Sequence, residues 1–175
     1  VKCPNPACGA QMPLVRSFWL STRKGKEAWV EPVLDRRAKT VRFEVRAGRP
    51  PGNLVALVAN GSKLGKGAKF KCLVCEQPTE EKHIKRESME GRMGQQLMAM
   101  VAEGDRSRAY LTPQDEHVRT AGSAKPKWAP TEPMDRDSYN LVSGRGYGFF
   151  TWADLFTPRQ LVALTTFCDL VQEAW

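Results

Sequence analysis

Two short cysteine pairs constrain this chain more than any other feature: Cys3-Pro-Asn-Pro-Ala-Cys8 followed by Gly9, and Cys72-Leu-Val-Cys75. A tight loop can aim two sulfurs and one or two backbone amides at a single point. Four thiolates at about 2.3 Å from one ion make a tetrahedral zinc site. The amides offset thiolate charge, and Gly9 suits the turn that closes such a knuckle. Because protein sulfur fills all four positions, a Zn2+ ion held by Cys3, Cys8, Cys72 and Cys75 is structural rather than catalytic. Disulfides are a poorer reading, since nothing indicates secretion and a fifth cysteine, Cys168, is left over. A redox Cys-x-x-Cys leaves the first pair unused, and iron–sulfur clusters take four cysteines at other spacings.

The 63 residues between Cys8 and Cys72 are too many for a minimal zinc finger, so the metal must pin the ends of an inserted sheet. Pro13 to Leu20, Ala28 to Leu34 and Val41 to Val45 are rich in β-formers and separated by charged, turn-forming breaks, which predicts a three-stranded antiparallel meander. Val41, Phe43 and Val45 alternate with Arg42 and Glu44, so the odd positions face the core. Asn60 to Gly67 reads as a flexible, glycine-rich cationic tip. Glu76 to Glu90 fits either a short strand through His83-Ile84-Lys85 or a helical turn. Leu97 to Glu103 and Arg108 to Leu111 predict a hairpin turning at Gly104-Asp105, and Thr112-Pro113 predicts an N-cap and a short helix to about Thr120. Thr157-Pro158 opens a last helix whose Leu161, Leu164, Cys168, Val171 and Trp175 recur at steps of 3 or 4, placing Cys168 in a core. The expected fold class is α+β: a zinc-ribbon-like antiparallel sheet pinned by a four-cysteine zinc site, with a hairpin and a C-terminal amphipathic helix. Its divisions are an elaborated ribbon over 1–90, hairpin and short helix over 91–121, an irregular linker over 122–150, and the last helix over 151–175.

Charge is unevenly spread. Residues 1–75 hold 15 Lys/Arg against 4 Asp/Glu, net +11, whereas 76–175 hold 12 against 15, net −3. A zinc ion with four thiolates adds −2 and leaves the first part at +9, so a polyanion is drawn there. The longest apolar run, Leu54 to Ala59, falls far short of the roughly 20 residues that span a bilayer, which excludes a membrane helix; with nothing to indicate secretion, the expected setting is cytoplasmic. The chain lacks an initiator Met and stops within a helical pattern, as a segment of a longer protein would.

No catalytic constellation is legible. Gly61-Ser-Lys-Leu-Gly65-Lys66-Gly67 is one residue short of a phosphate-binding loop and has Gly67 where the magnesium-binding Ser/Thr belongs. Gly144-Arg-Gly-Tyr-Gly148 has neither a preceding strand nor a following helix. His83 and His117 read as surface residues, and the carboxylates form no acid/base pair.

Cys3-Pro-Asn-Pro-Ala-Cys8-Gly-Ala, Met12 to Leu20, Cys72-x-x-Cys75, Gly91-Arg-Met-Gly94 and Thr151-Trp-Ala-Asp-Leu-Phe-Thr-Pro-Arg-Gln-Leu161 together resemble the zinc-ribbon-containing region of a bacterial and archaeal family of large adenine-specific DNA methylases. The resemblance covers the chain from Lys2 to about Val171. It implies an internal segment of an S-adenosylmethionine-dependent methyltransferase, of a kind often linked to phage defence. Such enzymes hold the flipped adenine with an Asp/Asn-Pro-Pro-aromatic loop. This chain has none, so the resemblance implies no methyl transfer by this segment alone. Glu76 stands where relatives tend to have glycine, and Thr79 to Arg86 is more charged than the usual strand.

Two functions compete at this level. A DNA-contacting module would use Arg23, Lys24, Lys26, Lys63, Lys66, Lys69 and Lys71 for salt-sensitive phosphate contacts. A docking module would pack Trp152, Phe156 and the last helix on the parent's catalytic domain or on another protein.

Overall fold

The computed structural model describes residues 1–104 and 108–175. It is a mixed α+β structure of small antiparallel sheets and short helices that divides into two compact units. The first comprises Val1–Glu87 with Arg92–Pro113, and the second Ser88–Gly91 with Gln114–Trp175.

The meander forms in the first unit. Strands β1 (Trp19–Ser21), β2 (Ala28–Asp35) and β3 (Thr40–Ala47) pair antiparallel in that order. Val30 opposes Val45, Pro32 opposes Phe43 and Leu34 opposes Val41, so one apolar face is continuous across both long strands. Val41 and Phe43 are buried and Val45 is half-buried, as their alternation predicts. Phe18, Met12, Val30 and Val58 are the most enclosed apolar side chains, and Cys3, Cys8 and Cys72 belong to the same buried cluster. The outer edge of β3 is covered by side chains: Gln96 Nε2 donates to the Val41 carbonyl, and the Val45 amide donates to Thr112 Oγ1 at 2.9 Å.

The apolar run too short for a membrane becomes helix α1 (Val55–Asn60), entered through a 3-10 turn at Gly52–Leu54. Its Val58 is fully buried and its carbonyl accepts from the Phe18 amide. Gly61 leaves the helix at φ 59°, where a Cβ would sit 2.2 Å from the Val15 carbonyl oxygen. Ser62, also fully buried, donates to the Pro13 carbonyl and accepts from the Val15 amide. The start of the glycine-rich stretch is thus a packing device, and Lys63 to Phe70 forms a bridged hairpin leading into β4 (Phe70–Lys71).

Strand β4 pairs with β5 (Pro78–Thr79), and α2 (Glu81–Met89) follows, which resolves the ambiguity at His83-Ile84-Lys85 in favour of helix. Ile84 supplies its buried contact, and an i,i+4 ion pair joins Glu81 to Lys85. The hairpin of β6 (Met100–Glu103) and β7 (Arg108–Leu111) forms in register, and Asp105 of its expected turn lies outside the described residues. This hairpin belongs to the first unit.

In the second unit, α3 (Asp115–Gly122) is capped by Gln114, not by Thr112. The Thr112 hydroxyl is engaged at the β3 edge, and the Gln114 amide donates to His117 Nδ1 instead. Residues 122–150 contain no regular element beyond the end of α3, yet Met134 and Ser143 are buried and Pro133 bridges to Thr151. Asp154 Oδ2 accepts from the Phe150 and Thr151 amides, capping a 3-10 turn at Trp152–Leu155. Beyond that turn, Thr157 and Gln160 form a reciprocal capping box for α4 (Pro158–Glu173), the helix start that Thr157-Pro158 predicts. The buried side of α4 is Leu161 and Thr165, with Trp128 Nε1 donating to Asp169 one turn further on. Cys168 is therefore exposed rather than in a core: it lies on the Leu164, Val171 and Trp175 side, and those side chains are exposed too.

Candidate metal centre

The two cysteine loops adopt the same backbone arrangement although they differ in length. In the first, the Cys3 amide donates to the carbonyl of Ala10, two residues past Cys8. In the second, the Cys72 amide donates to the carbonyl of Gln77, two residues past Cys75. Each loop is closed by an amide donating four residues back, Gly9 to Asn5 and Glu76 to Cys72. The two additional residues of the first loop are accommodated by Asn5, whose side-chain oxygen accepts from the Ala7 amide. A Lys2–Gln11 bridge carries the first loop and the β4–β5 pair carries the second, so both sit at the tips of short hairpins.

These tips converge. Cys3 Sγ lies 3.7 Å from Cys75 Sγ, and Cys8 Sγ lies 3.9 Å from Cys72 Sγ. All four sulfurs lie within 4.8 Å of one another. Tetrahedral coordination with Zn–S of about 2.3 Å puts sulfurs about 3.8 Å apart, so the set has the size that a four-coordinate thiolate site requires. None of the four is in a disulfide.

Backbone amides aim at the sulfurs. The Asn5 amide donates to Cys3, the Val74 and Cys75 amides to Cys72, and the Gln77 amide to Cys75. Burial pushes the Cys3 thiol up to about 12 against the Asn5 bond, and burial also raises Cys72 against its two amides. At Cys75 burial acts in the same sense but is outweighed by the Gln77 amide and the neighbouring thiols, which bring it down to about 7. The donor set thus suits a divalent ion: a cation among the four supplies the charge that buried thiolates otherwise lack.

One feature of the surroundings was not read from the sequence. The turn between β2 and β3 reaches both loops: Lys39 Nζ donates to the Ala7 carbonyl at 2.8 Å, and Arg36 donates to the Val74 carbonyl and to the Glu76 carboxylate. Asp35 Oδ1 accepts the Ala38 amide, and Lys39 adopts φ 56°, which together hold the turn in place. From sequence, Asp35 to Lys39 reads as a charged break. The density of cations in so short a turn is the signal that could have drawn attention to it.

Of the seven basic residues singled out from the sequence, Arg23 and Lys26 are the two that line one groove. Arg23 and Lys26 line a groove with Arg46, Arg108 and Tyr110, and Lys24 is exposed in the same turn. Lys63, Lys66, Lys69 and Lys71 belong to the other hairpin, where Lys63 donates to the Gly67 carbonyl and stands 5.0 Å from the Phe70 ring centroid. No described helix is long and apolar enough to cross a membrane. Neither family models, curated proteins nor solved structures match the chain.

Proposed function

We propose that the chain is a zinc-ribbon accessory region of an adenine-specific DNA methylase, which contacts DNA through its basic first unit and leaves methyl transfer to the parent enzyme. The convergence of four sulfurs from two matched hairpin tips carries this reading. In it, Cys3, Cys8, Cys72 and Cys75 hold one Zn2+, and S-adenosylmethionine is bound elsewhere in the parent. The ion does no chemistry on substrate, since its four positions are filled by sulfur. It fixes the ends of a sheet whose net charge draws phosphates. Metal analysis of the purified chain should give one zinc per molecule, and Cys72→Ser should lose both the metal and several degrees of melting temperature. Unchanged metal content and melting temperature in that variant would overturn the assignment. Titration with duplex and with single-stranded DNA should show binding that weakens steeply with salt, and absence of binding to both at low salt removes the DNA role.

A second reading, docking on the catalytic domain or another protein, is favoured by α4. Leu164, Phe167, Val171 and Trp175 are exposed along one side of that helix, with Phe167 at 68%. Retention of the parent's catalytic domain on the immobilised chain, lost on Phe167→Glu, distinguishes it.

A further inference from the structure

We propose that the groove at the end of the three-stranded sheet binds a single strand of nucleic acid, its cations tracking phosphates and Tyr110 stacking on a base. This rests on the nucleic-acid reading above and narrows it to one surface and one strand form.

The groove encloses about 750 Å³ between the β1–β2 turn, the end of β3 and β7. Its walls are built by local constraints. The pairing of β1 with β2 shifts register between Trp19 and Ser21, the Lys26 amide closes back on the Arg23 carbonyl, and the Gly48 amide donates to the Glu27 carbonyl. The bond from Val45 to Thr112 Oγ1 holds the end of β7 against β3, and on β7 Arg108 and Tyr110 share a face.

The lining is cationic with one aromatic ring. Arg23, Lys26, Arg46 and Arg108 supply four positive charges, and Glu27 is the lining carboxylate. Glu27 is largely occupied: its side chain is 13% exposed and Arg49 Nε lies at 3.5 Å. Arg46 is held by Glu31 at 2.6 Å and Glu44 at 2.7 Å, which fixes its guanidinium while offsetting its charge. Arg23, Lys26 and Arg108 are in none of the ion pairs among the described residues, so three of the lining cations remain for a ligand's phosphates. A space of this size is that of a small-ligand cleft, and a base is free to stack on Tyr110 only when it is not already stacked within a duplex, which favours a single strand. Half-buried Tyr110 offers a π-face that any base can stack on, the usual partner of a positive backbone track in single-strand binding.

The test is fluorescence anisotropy on the zinc-loaded chain with a labelled single-stranded oligothymidine and with a duplex of equal length, at about 50 and about 200 mM salt. The single strand should bind more tightly. Arg23→Glu with Arg108→Glu should weaken it by more than about tenfold and flatten its salt dependence. Tyr110→Leu should weaken it by about tenfold and leave the salt dependence unchanged. Lys66→Glu with Lys69→Glu, on the other hairpin, should leave single-strand affinity unchanged. Each variant is compared at wild-type zinc content and circular dichroism. A preference for duplex, or a larger loss from the Lys66/Lys69 pair than from the groove variants, overturns the groove while the broader DNA reading stands. Absence of binding to either oligonucleotide at the lower salt overturns both.

Discussion

Gly9 and Glu76 occupy the same position in the two cysteine loops: each follows the second cysteine of its pair, with φ of 61° and 63°. Glycine takes this conformation freely, whereas a side chain costs about 1–2 kcal/mol there. Glu76→Gly should therefore hold or raise stability, since the ion pair it gives up with Arg36 is exposed on both partners and worth little. Glu76→Val, β-branched at positive φ, should cost about 1–2 kcal/mol. Urea unfolding of the zinc-loaded variants measures both, and equal stability of Gly and Val at this position would remove the equivalence.

Arg36 and Lys39 tie one turn to both loops through the Val74 and Ala7 carbonyls. Replacing both by Met keeps the apolar stems and removes the cationic donors. Partners outside the ligand set commonly change metal affinity by about tenfold or more, and at this exposed turn a loss of about tenfold is expected with zinc stoichiometry unchanged. Competition with a chromogenic chelator reads it. Unaltered affinity in the double variant would mean that the turn merely lies alongside the site.

Cys168 is exposed and the other four cysteines converge. With Zn2+ supplied to the folded chain, an aromatic disulfide reagent should modify one thiol rapidly, and all five after denaturation with chelator. Cys168→Ser should abolish the rapid phase and leave zinc content intact. A native count of none would return Cys168 to a core.

Gly61 and Gly65 both have positive φ, but only the first is crowded, with the Val15 carbonyl in the way. Gly65 faces open space. Gly61→Ala should cost about 3 kcal/mol and Gly65→Ala about 1 kcal/mol. Thermal melts compare them, and equal losses would show that backbone conformation alone matters at both sites.

Asp154 is held below the ordinary carboxylate range by amides, Thr151 first and then Phe150. It stays ionised in the folded chain at acidities where the unfolded chain is already protonated. Its contribution is present above the unfolded value of about 4 and is lost as pH falls through the lowered folded value. Asp154→Ala should cost about 1 kcal/mol at neutral pH, and the difference from wild type should shrink under acid. Denaturant melts across that range check it, and a pH-independent difference would assign the loss to packing.

What was legible in sequence was local. Alternation in Val41 to Val45 marks which face of β3 is buried, and Thr157-Pro158 marks the start of α4, because both are decided by neighbours in the chain. The Thr151-to-Asp154 spacing carries a capping signal of the same kind that went unread. Thr112 misleads because a hydroxyl suited to cap a helix is claimed by the edge of β3, a partner far off in sequence.

The sequence by itself determined the pairing of cysteines within each loop, the meander and the imbalance of charge, since spacing, period and composition are properties of nearby residues. Only the tertiary structure decided that the two loops meet, that Arg36 and Lys39 strap them, that Arg23 shares a groove with Arg108 and Tyr110, and that Cys168 faces outward. Each of these depends on which distant surfaces come together, and burial of Phe18, Val30 and Val58 in one core selects among arrangements that local pattern leaves equally allowed.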